Sequence, residues 1–211
     1  MIRAVLWDND GVLVDTEGLY FLATAEVLRD VGFDLDERLY RQLFLIEGRG
    51  CWHLLSERGM GSDEIAAVRA VRNARYAALL RGGRPLLPGV EETLRALAGR
   101  FRMGVVTSCR RQHFDLIHQD RALDRYFEFV LTREDYGESK PHPEPYLKAA
   151  AALGLAPREC VAVEDSERGV TAAKAAGCLC FAIPTAHTRE TDLSGADRSL
   201  AAVGDVLALL S

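Results

Sequence analysis

Five short apolar runs, separated by segments of helical periodicity, constrain the fold of this 211-residue chain more than any other feature. Apolar runs of this length without polar alternation are typical of strands buried on both faces of a sheet. Strands that alternate with helices pair in parallel, since each helix returns the chain across the sheet. The sequence therefore predicts an α/β fold in which helices cover a parallel sheet. The apolar runs occupy residues 2–7, 103–107, 127–132, 160–163 and 179–184, and the helical segments between them occupy 90–97, 110–119, 145–153 and 169–176.

A long segment between the first and second apolar runs does not follow this alternation. It contains no strand-like run, and its helical segments are punctuated by glycines. The Gly-Gly-Arg-Pro sequence at 82–85 after it predicts a hinge. We therefore expect an all-helical domain at 16–83, inserted into an α/β domain that comprises 1–15 and 84–211. The predicted helices of the insert are 17–31, 36–46, 50–58 and 63–81.

The composition excludes several classes of partner. The 31 acidic residues outnumber the 26 basic ones and give a net charge of -5, so the chain lacks the basic excess that binds nucleic acid. Five cysteines without regular spacing fit neither a disulfide framework nor a zinc ribbon, which indicates a reducing compartment. No apolar stretch approaches the roughly 18 residues that span a membrane, and the first residues do not resemble a secretion signal. We therefore expect a cytoplasmic protein that acts as a monomer and binds no membrane.

An acidic pair follows the first apolar run. Asp8 and Asp10 are two positions apart, so an extended backbone directs both side chains to the same side, and Gly11 permits a sharp turn after them. Repulsion between the two carboxylates favours a proton on one of them. Such a pair can divide the work of nucleophile and of general acid and base. Taken alone, the pattern favours a turn whose acids cap a helix.

Further motifs give the chain a family resemblance. With the later motifs, the acidic pair resembles the haloacid dehalogenase superfamily, specifically its branch with a helical cap inserted after the first motif. The resemblance spans nearly the whole chain and implies a Rossmann-like core, with Asp8 as the nucleophile and Asp10 as the general acid and base. The four motifs occur in order as DNDGVLVDT at 8–16, MGVVT at 103–107, GESKPHPEPY at 137–146 and VEDSERG at 163–169.

The resemblance also implies a Mg²⁺ cofactor. Asp8, the backbone carbonyl of Asp10, and Asp165 would bind the ion, and Glu164 would act through a metal-bound water. Hard carboxylate oxygens are the ligands that Mg²⁺ prefers. The alternative for Glu164 and Asp165 is a solvated turn that caps the following helix.

Three residues are expected to bind phosphate. Thr107 and Ser108 follow an apolar run and precede a helix, where a hydroxyl and backbone amides can point at phosphate oxygens. Lys140 is one of only three lysines in the chain, and its compact ammonium can contact both a carboxylate and a phosphate, which a planar guanidinium does less well. The alternatives are an ordinary helix cap and a lysine in solvent.

The implied activity is that of a Mg²⁺-dependent phosphatase. It would hydrolyse a small phosphorylated metabolite, a sugar or polyol phosphate, through an aspartyl-phosphate on Asp8. The dehalogenases of this superfamily lack an acid at the position of Asp10, which disfavours carbon–halogen cleavage. Two alternatives remain open. One is a phosphosugar mutase similar to β-phosphoglucomutase, and the other is a phosphate-binding regulator without turnover.

The predicted helical insert at 16–83, which corresponds to the cap of this family, contains residues that help to choose between hydrolysis and mutase activity. Tyr20 stands where such mutases carry a histidine, and Cys51 where they carry an arginine, so hydrolysis is favoured. Tyr20, Glu47 and Arg49 are predicted to set substrate specificity, although an arginine in solvent is an equal alternative for Arg49. Asn9 also departs from the family, which often has an apolar residue between the two aspartates. The arginines of the fourth predicted helix are expected in solvent, and they are Arg69, Arg72 and Arg75.

Overall fold

Two compact units make up the chain in the computed structural model. It describes residues 1–83, 86–119 and 121–210, apart from the side chains of Ala122 and Asp124. One unit comprises Met1–Asp15 and Pro85–Ser211, and the other comprises Thr16–Arg84. The predicted hinge falls partly outside the described residues, because these do not include Arg84 and Pro85. Across the described residues, every helix is too short or too polar to span a lipid bilayer.

The first unit is built on a six-stranded parallel sheet. Its strands are β1 Ala4–Trp7, β2 Arg102–Val106, β3 Phe129–Leu131, β4 Cys160–Glu164, β5 Leu179–Ala182 and β6 Arg198–Ser199. They are arranged in the order β3-β2-β1-β4-β5-β6, so β1 is central and pairs with β2 on one side and β4 on the other. Sheets of this order bind ligands at the carboxyl ends of the strands, where the order reverses. The prediction of a Rossmann-like parallel sheet is confirmed, whereas β6, only two residues long, was not predicted.

The helices lie between and after these strands. They are α1 Glu17–Asp30, α2 Glu37–Tyr40, α3 Trp52–Glu57, α4 Ser62–Leu80, α5 Val90–Leu97, α6 Arg111–His118, α7 Glu144–Ala152, α8 Glu167–Ala176 and α9 Val206–Leu209. A π-helical turn, Arg41–Ile46, follows α2, and short 3₁₀ turns occupy Ala122–Tyr126, Arg133–Asp135, Pro157–Glu159 and Val203–Asp205.

Helices cover both faces of the sheet. Val5 and Trp7 of β1 pack in one apolar cluster with residues of α5, α6 and α9, whereas Ala4 and Leu6 pack in another with residues of α7 and α8. Because successive side chains of a strand point to opposite faces, a strand buried on both faces is apolar throughout. Asp8, the polar residue directly after β1, therefore marks the carboxyl end of this buried strand.

The helical unit has an apolar core of its own. Side chains of α1, α3 and the π-helical turn, including Leu28, Leu43 and Leu55, are buried together there. Arg72 of α4 is only 4% exposed, so the expectation that this arginine lies in solvent is wrong. Its guanidinium lies 4.4 Å from the ring centroid of Tyr20. Arginine stacks on aromatic faces and is more weakly hydrated than lysine, which makes such burial tolerable.

Candidate active site

Polar side chains meet at the carboxyl ends of the three central strands. Asp8 follows β1, Thr107 follows β2, Glu164 is the last residue of β4, and Asp165 comes directly after it. Adjacent parallel strands end at the same edge of the sheet, so residues far apart in the sequence become neighbours there. All four residues are largely buried, with 9% exposure or less.

Lys140 lies at the centre of this group. Its ammonium donates three hydrogen bonds, to Asp8 Oδ1 at 2.8 Å, to the backbone carbonyl of Val106 at 2.8 Å and to Glu164 Oε1 at 2.6 Å. An ammonium has three protons, and each is directed at a protein acceptor. Lys140 thus binds the Asp8 carboxylate and ties it to the ends of both neighbouring strands.

Glu164 is buried completely and has two partners at one oxygen. Its Oε1 accepts from Lys140 and also from the hydroxyl of Tyr146 on α7. Sequence reasoning missed Tyr146, although it ends the motif that contains Lys140. A Cβ added to Gly169 of α8 would lie 1.9 Å from Glu164 Oε2, so the missing side chain at this position makes room for the carboxylate. The carboxylate of Glu164 is therefore held by hydrogen bonds from Lys140 and α7, and it lies close against α8.

Burial changes the proton affinity of the central ion pair. Removal from water raises the pKa of Asp8 from 3.8 to about 7, while the charge of Lys140 acts to lower it and those of Glu164 and Asp10 act to raise it. Burial alone would lower the pKa of Lys140, but the charges of Asp8 and Glu164 raise it well above its ordinary value. Lys140 is therefore held in the charged form that its neighbours require.

Three carboxylates form a candidate metal site. Ligand oxygens of Asp8, Glu164 and Asp165 lie within 4.8 Å of one another. Gly11, with a φ of +81°, passes so close that a Cβ there would lie 2.2 Å from Asp165 Oδ2. The missing Cβ thus lets the Asp165 carboxylate approach the loop that carries Asp8 and Asp10. Oxygen donors at this spacing fit Mg²⁺, and a divalent cation would relieve their mutual repulsion.

Two hydroxyl residues follow β2. Thr107 is buried, and its Oγ1 accepts a hydrogen bond from the backbone N–H of Cys109 at 3.0 Å. Its backbone carbonyl accepts from the hydroxyl of Tyr136 at 2.8 Å. The hydroxyl of Ser108 is buried near that of Tyr136, but it makes no hydrogen bond of normal geometry with any described residue. A buried polar atom of this kind needs a partner, and a phosphate oxygen is a suitable one.

Asp10 is partly exposed and is bound by its neighbour in sequence. Asn9 Nδ2 donates to Asp10 Oδ2 at 3.2 Å, and Asn9 Oδ1 lies 2.7 Å from Nε2 of His118, the last residue of α6. Sequence reasoning noted Asn9 only as a departure from the family and did not predict its contact with His118. The two residues are 109 positions apart, so no local pattern could have indicated their pairing.

The predicted specificity residues all belong to the helical unit. Glu47 and Arg49 form an ion pair with each other, and Glu47 also accepts a hydrogen bond from Gln42 at 2.8 Å. The Tyr20 ring packs edge-on against Tyr76 at 5.1 Å between centroids. Their part in substrate selection stays a prediction.

Comparisons with known proteins agree with this geometry. A family model described as haloacid dehalogenase-like hydrolase matches residues 2–177. The protein CbbY of Rhodobacter capsulatus is 31% identical over 208 residues, which cover 93% of this chain and 91% of that protein. Hexitol phosphatase B of Escherichia coli is 30% identical over 190 residues, 87% of this chain and 84% of that enzyme.

A solved structure extends the similarity to three dimensions. A mutant of CbbY from Rhodobacter sphaeroides in complex with xylulose-(1,5)bisphosphate superposes with a TM-score of 0.86. It is 29% identical and covers 100% of both chains. The phosphatase names among these relatives agree with the enzyme class predicted from the sequence, a phosphoric monoester hydrolase.

Proposed function

Because the chain belongs to the haloacid dehalogenase-like hydrolase family, as its motifs predicted, we propose that it hydrolyses a phosphorylated sugar or polyol through an aspartyl-phosphate intermediate. The observation that carries this proposal is the contact between the Asp8 carboxylate and the buried ammonium of Lys140, 2.8 Å apart at the end of the central strand. This contact holds one carboxylate in a fixed place beside the other acids of the site.

Asp8 acts as the nucleophile. One of its oxygens attacks phosphorus in line with the leaving alcohol, which forms a bond from oxygen to phosphorus and breaks the ester bond. Lys140 holds Asp8 in position and favours its ionised form. Ser108 and Thr107 supply hydroxyl contacts to the phosphoryl oxygens, which accords with the unmatched Ser108 hydroxyl. A direct contact from Lys140 to phosphate would require it to exchange one of its three protein acceptors.

Asp10 moves the proton. In the first step it protonates the leaving alcohol oxygen, and in the second it takes a proton from the water that attacks the phosphoryl group on Asp8. Its partial exposure suits a group that must reach both substrate and water. The two aspartates thus divide the roles of nucleophile and of acid and base.

Asp8, Asp165 and the backbone carbonyl of Asp10 would hold Mg²⁺. The hydrogen bonds from Lys140 and Tyr146 to Glu164 favour its action through a bound water. When bound, the ion supplies positive charge that stabilises the phosphoryl oxygens during transfer. Together, the ion and the Lys140 ammonium would balance the charges of Asp8, Glu164 and Asp165, so the site would not repel an anionic substrate although the chain has a net charge of -5.

The proposed substrate class is based on the names of related proteins and on the ligand bound in one related structure. Hexitol phosphatase B and a phosphorylated carbohydrates phosphatase of Thermotoga maritima are named for sugar-derived phosphates, and CbbY was solved with a pentulose bisphosphate. We propose that the helical unit acts as the cap that selects among such substrates, with Tyr20, Glu47 and Arg49 contributing to the choice.

Phosphate release from a panel of esters tests this function. Purified protein is incubated with hexitol, sugar, glycerol and nucleotide phosphates, with and without Mg²⁺, beside the Asp8→Asn variant. We expect Mg²⁺-dependent release from a sugar or polyol phosphate and its loss in Asp8→Asn. Release that survives Asp8→Asn would contradict the mechanism. Isomer exchange without net release would favour the phosphosugar mutase, and binding without turnover would favour the regulator.

A further inference from the structure

Asn9 makes two side-chain hydrogen bonds that do not involve the nucleophile. It lies between Asp8 and Asp10, is buried completely, and contacts Asp10 on one side and His118 on the other. The distances are 3.2 Å from Asn9 Nδ2 to Asp10 Oδ2 and 2.7 Å from Asn9 Oδ1 to His118 Nε2. A side chain from α6 is thereby connected to the carboxylate that moves the proton.

The hydrogen-bonding groups fix the direction of this chain of contacts. The amide nitrogen of Asn9 faces Asp10 Oδ2 and its oxygen faces His118, and Asp10 Oδ2 accepts from Asn9 both when Asp10 is ionised and when its proton is on the other oxygen. His118 Nε2 must then carry the proton that it donates to Asn9. Burial lowers the pKa of His118 to about 4, so near neutral pH the ring is uncharged and can hold this single tautomer. The three side chains thus form an ordered series in which His118 donates to Asn9 and Asn9 donates to Asp10.

The far end of this series is held by packing. His118 is 6% exposed, and its ring lies 4.5 Å from the ring of Phe114, one turn earlier on α6. A buried ring in contact with another ring has little freedom to change rotamer. Asp10, by contrast, is partly exposed, and such side chains exchange rotamers readily unless a partner restrains them.

We propose that Asn9 and His118 are positioning residues that hold the Asp10 carboxylate in the orientation from which it protonates the leaving group. This inference rests on the proposed function, since it assumes that Asp10 is the general acid. Proton transfer requires the donor within hydrogen-bond reach of the leaving oxygen. If the Asp10 side chain adopts a rotamer that points away from that oxygen, it cannot transfer its proton there, and the enzyme loses its general acid.

The leaving group provides a selective test of this role. An alkoxide is a poor leaving group and needs the proton, whereas p-nitrophenolate is a stable anion and leaves without one. Loss of a positioning contact to the general acid should therefore slow hydrolysis of an alkyl phosphate much more than that of p-nitrophenyl phosphate. A general loss of structure should slow both esters alike.

The variants are Asn9→Leu, His118→Leu and His118→Gln. The readout is kcat/KM for p-nitrophenyl phosphate and for the alkyl phosphate that the wild type hydrolyses fastest in the panel above. We expect Asn9→Leu and His118→Leu to lose about tenfold on the alkyl ester and less than about twofold on the aryl ester. Glutamine can donate to Asn9 as His118 does, so we expect His118→Gln to recover the alkyl activity to within about threefold of the wild type.

Controls separate this role from packing. Leu97→Val removes a methylene from the apolar cluster that contains Phe114, but it removes neither a member of the hydrogen-bonded series nor the ring that packs on His118, so any loss should be equal on the two esters. If Asn9→Leu does not fold, the comparison of His118→Leu with His118→Gln tests the positioning role on its own. An equal loss on both esters in the folded variants, or no recovery in His118→Gln, would overturn the inference.

Two further variants distinguish this inference from the function on which it rests. Asp8→Asn should be inactive on both esters, and Asp10→Ala should lose more on the alkyl ester than on the aryl ester. If either expectation fails, the proposed function itself is wrong. If both hold while Asn9→Leu and His118→Leu show no preference for the aryl ester, only the positioning role is wrong.

Discussion

The Lys140 ammonium lies 2.8 Å from the Asp8 carboxylate, and both side chains are at least nine-tenths buried. The ammonium also donates to Glu164 and to the backbone carbonyl of Val106. A tetrahedral group with three protons matches three acceptors that belong to three different strand ends. A planar guanidinium has its donors in a fixed fork and cannot reproduce this arrangement.

We therefore predict that Lys140→Arg is as inactive as Lys140→Met, although it keeps the charge. Both should lose about 10²-fold or more in kcat, because the nucleophile is no longer held. Lys140→Met should also lower the free energy of unfolding by about 3 kcal/mol, since it leaves two carboxylates buried without their cation. Phosphate release and denaturant unfolding measure the two effects.

Lys148→Met is the matched control, because that lysine is exposed. Arginine that supports wild-type turnover would contradict the prediction.

A second prediction concerns Tyr146. Its hydroxyl donates to Glu164 Oε1, and both residues are fully buried. Tyr146→Phe keeps the ring in the core but removes one of the donors to a buried carboxylate. We expect the free energy of unfolding to fall by about 1–3 kcal/mol, the cost of an unsatisfied buried polar group. Tyr126→Phe, at a half-buried tyrosine outside the site, should change it by less than about 0.5 kcal/mol. Equal unfolding midpoints for the two variants would show that the Tyr146 bond adds no stability.

The sequence predicted the parts of the site that depend on backbone topology. Alternating strands and helices imply a parallel sheet, and the ends of its strands must meet, so Asp8, Thr107, Glu164 and Asp165 could be placed together. This step requires only the order of the elements and the position of each residue after its strand. The five longer strands follow from the apolar runs, and the helices of both units follow from helical periodicity, except for α9, which was not predicted.

The sequence did not predict contacts that depend on side-chain direction. Tyr146 reaches Glu164 from α7, and His118 reaches Asn9 from α6, and neither contact follows from spacing along one element. The burial of Arg72 was missed for a related reason, because helical periodicity gives the face of a residue but not the aromatic ring of another helix that covers it. Strand β6 has two residues, Arg198 and Ser199, and both are polar and exposed, so no apolar run marks it in the sequence.

A third prediction concerns the close approach of Gly11 to Asp165. A Cβ at Gly11 would lie 2.2 Å from Asp165 Oδ2, and it would also be strained by the φ of +81°. We expect Gly11→Ala to displace the Asp165 carboxylate and to raise the Mg²⁺ concentration for half-maximal activity by about tenfold or more, as loss of metal-site support does. Titration of activity with Mg²⁺ measures this shift.

Gly154→Ala separates backbone strain from the displacement of Asp165. Gly154 also has a positive φ, +61°, but a Cβ there would meet no described atom within 4 Å. Both variants should lose stability, by about 1 kcal/mol for the strained backbone. Only Gly11→Ala should raise the Mg²⁺ concentration that gives half-maximal activity. A Mg²⁺ dependence that stays at the wild-type value in Gly11→Ala would argue against Asp165 as a ligand.

The last prediction concerns stability at acid pH. Burial, with a smaller contribution from the charge of Arg121, lowers the pKa of His118 from 6.5 to about 4 in the folded chain. Between these two values the unfolded chain binds a proton that the folded chain does not, so stability falls as the pH decreases from about 6.5 to 4. From pH 7 to pH 5 this one residue lowers the free energy of unfolding by about 2 kcal/mol.

His118→Gln removes the titrating group and keeps a donor to Asn9, so its free energy of unfolding should decrease by about 2 kcal/mol less than that of the wild type over this range. Denaturant unfolding at the two pH values measures the difference, with His187→Gln, at a half-buried histidine, as the control that should follow the wild type. Because the wild type and His118→Gln share every other titrating group, parallel pH dependence in these two proteins would mean that His118 is not held neutral by burial.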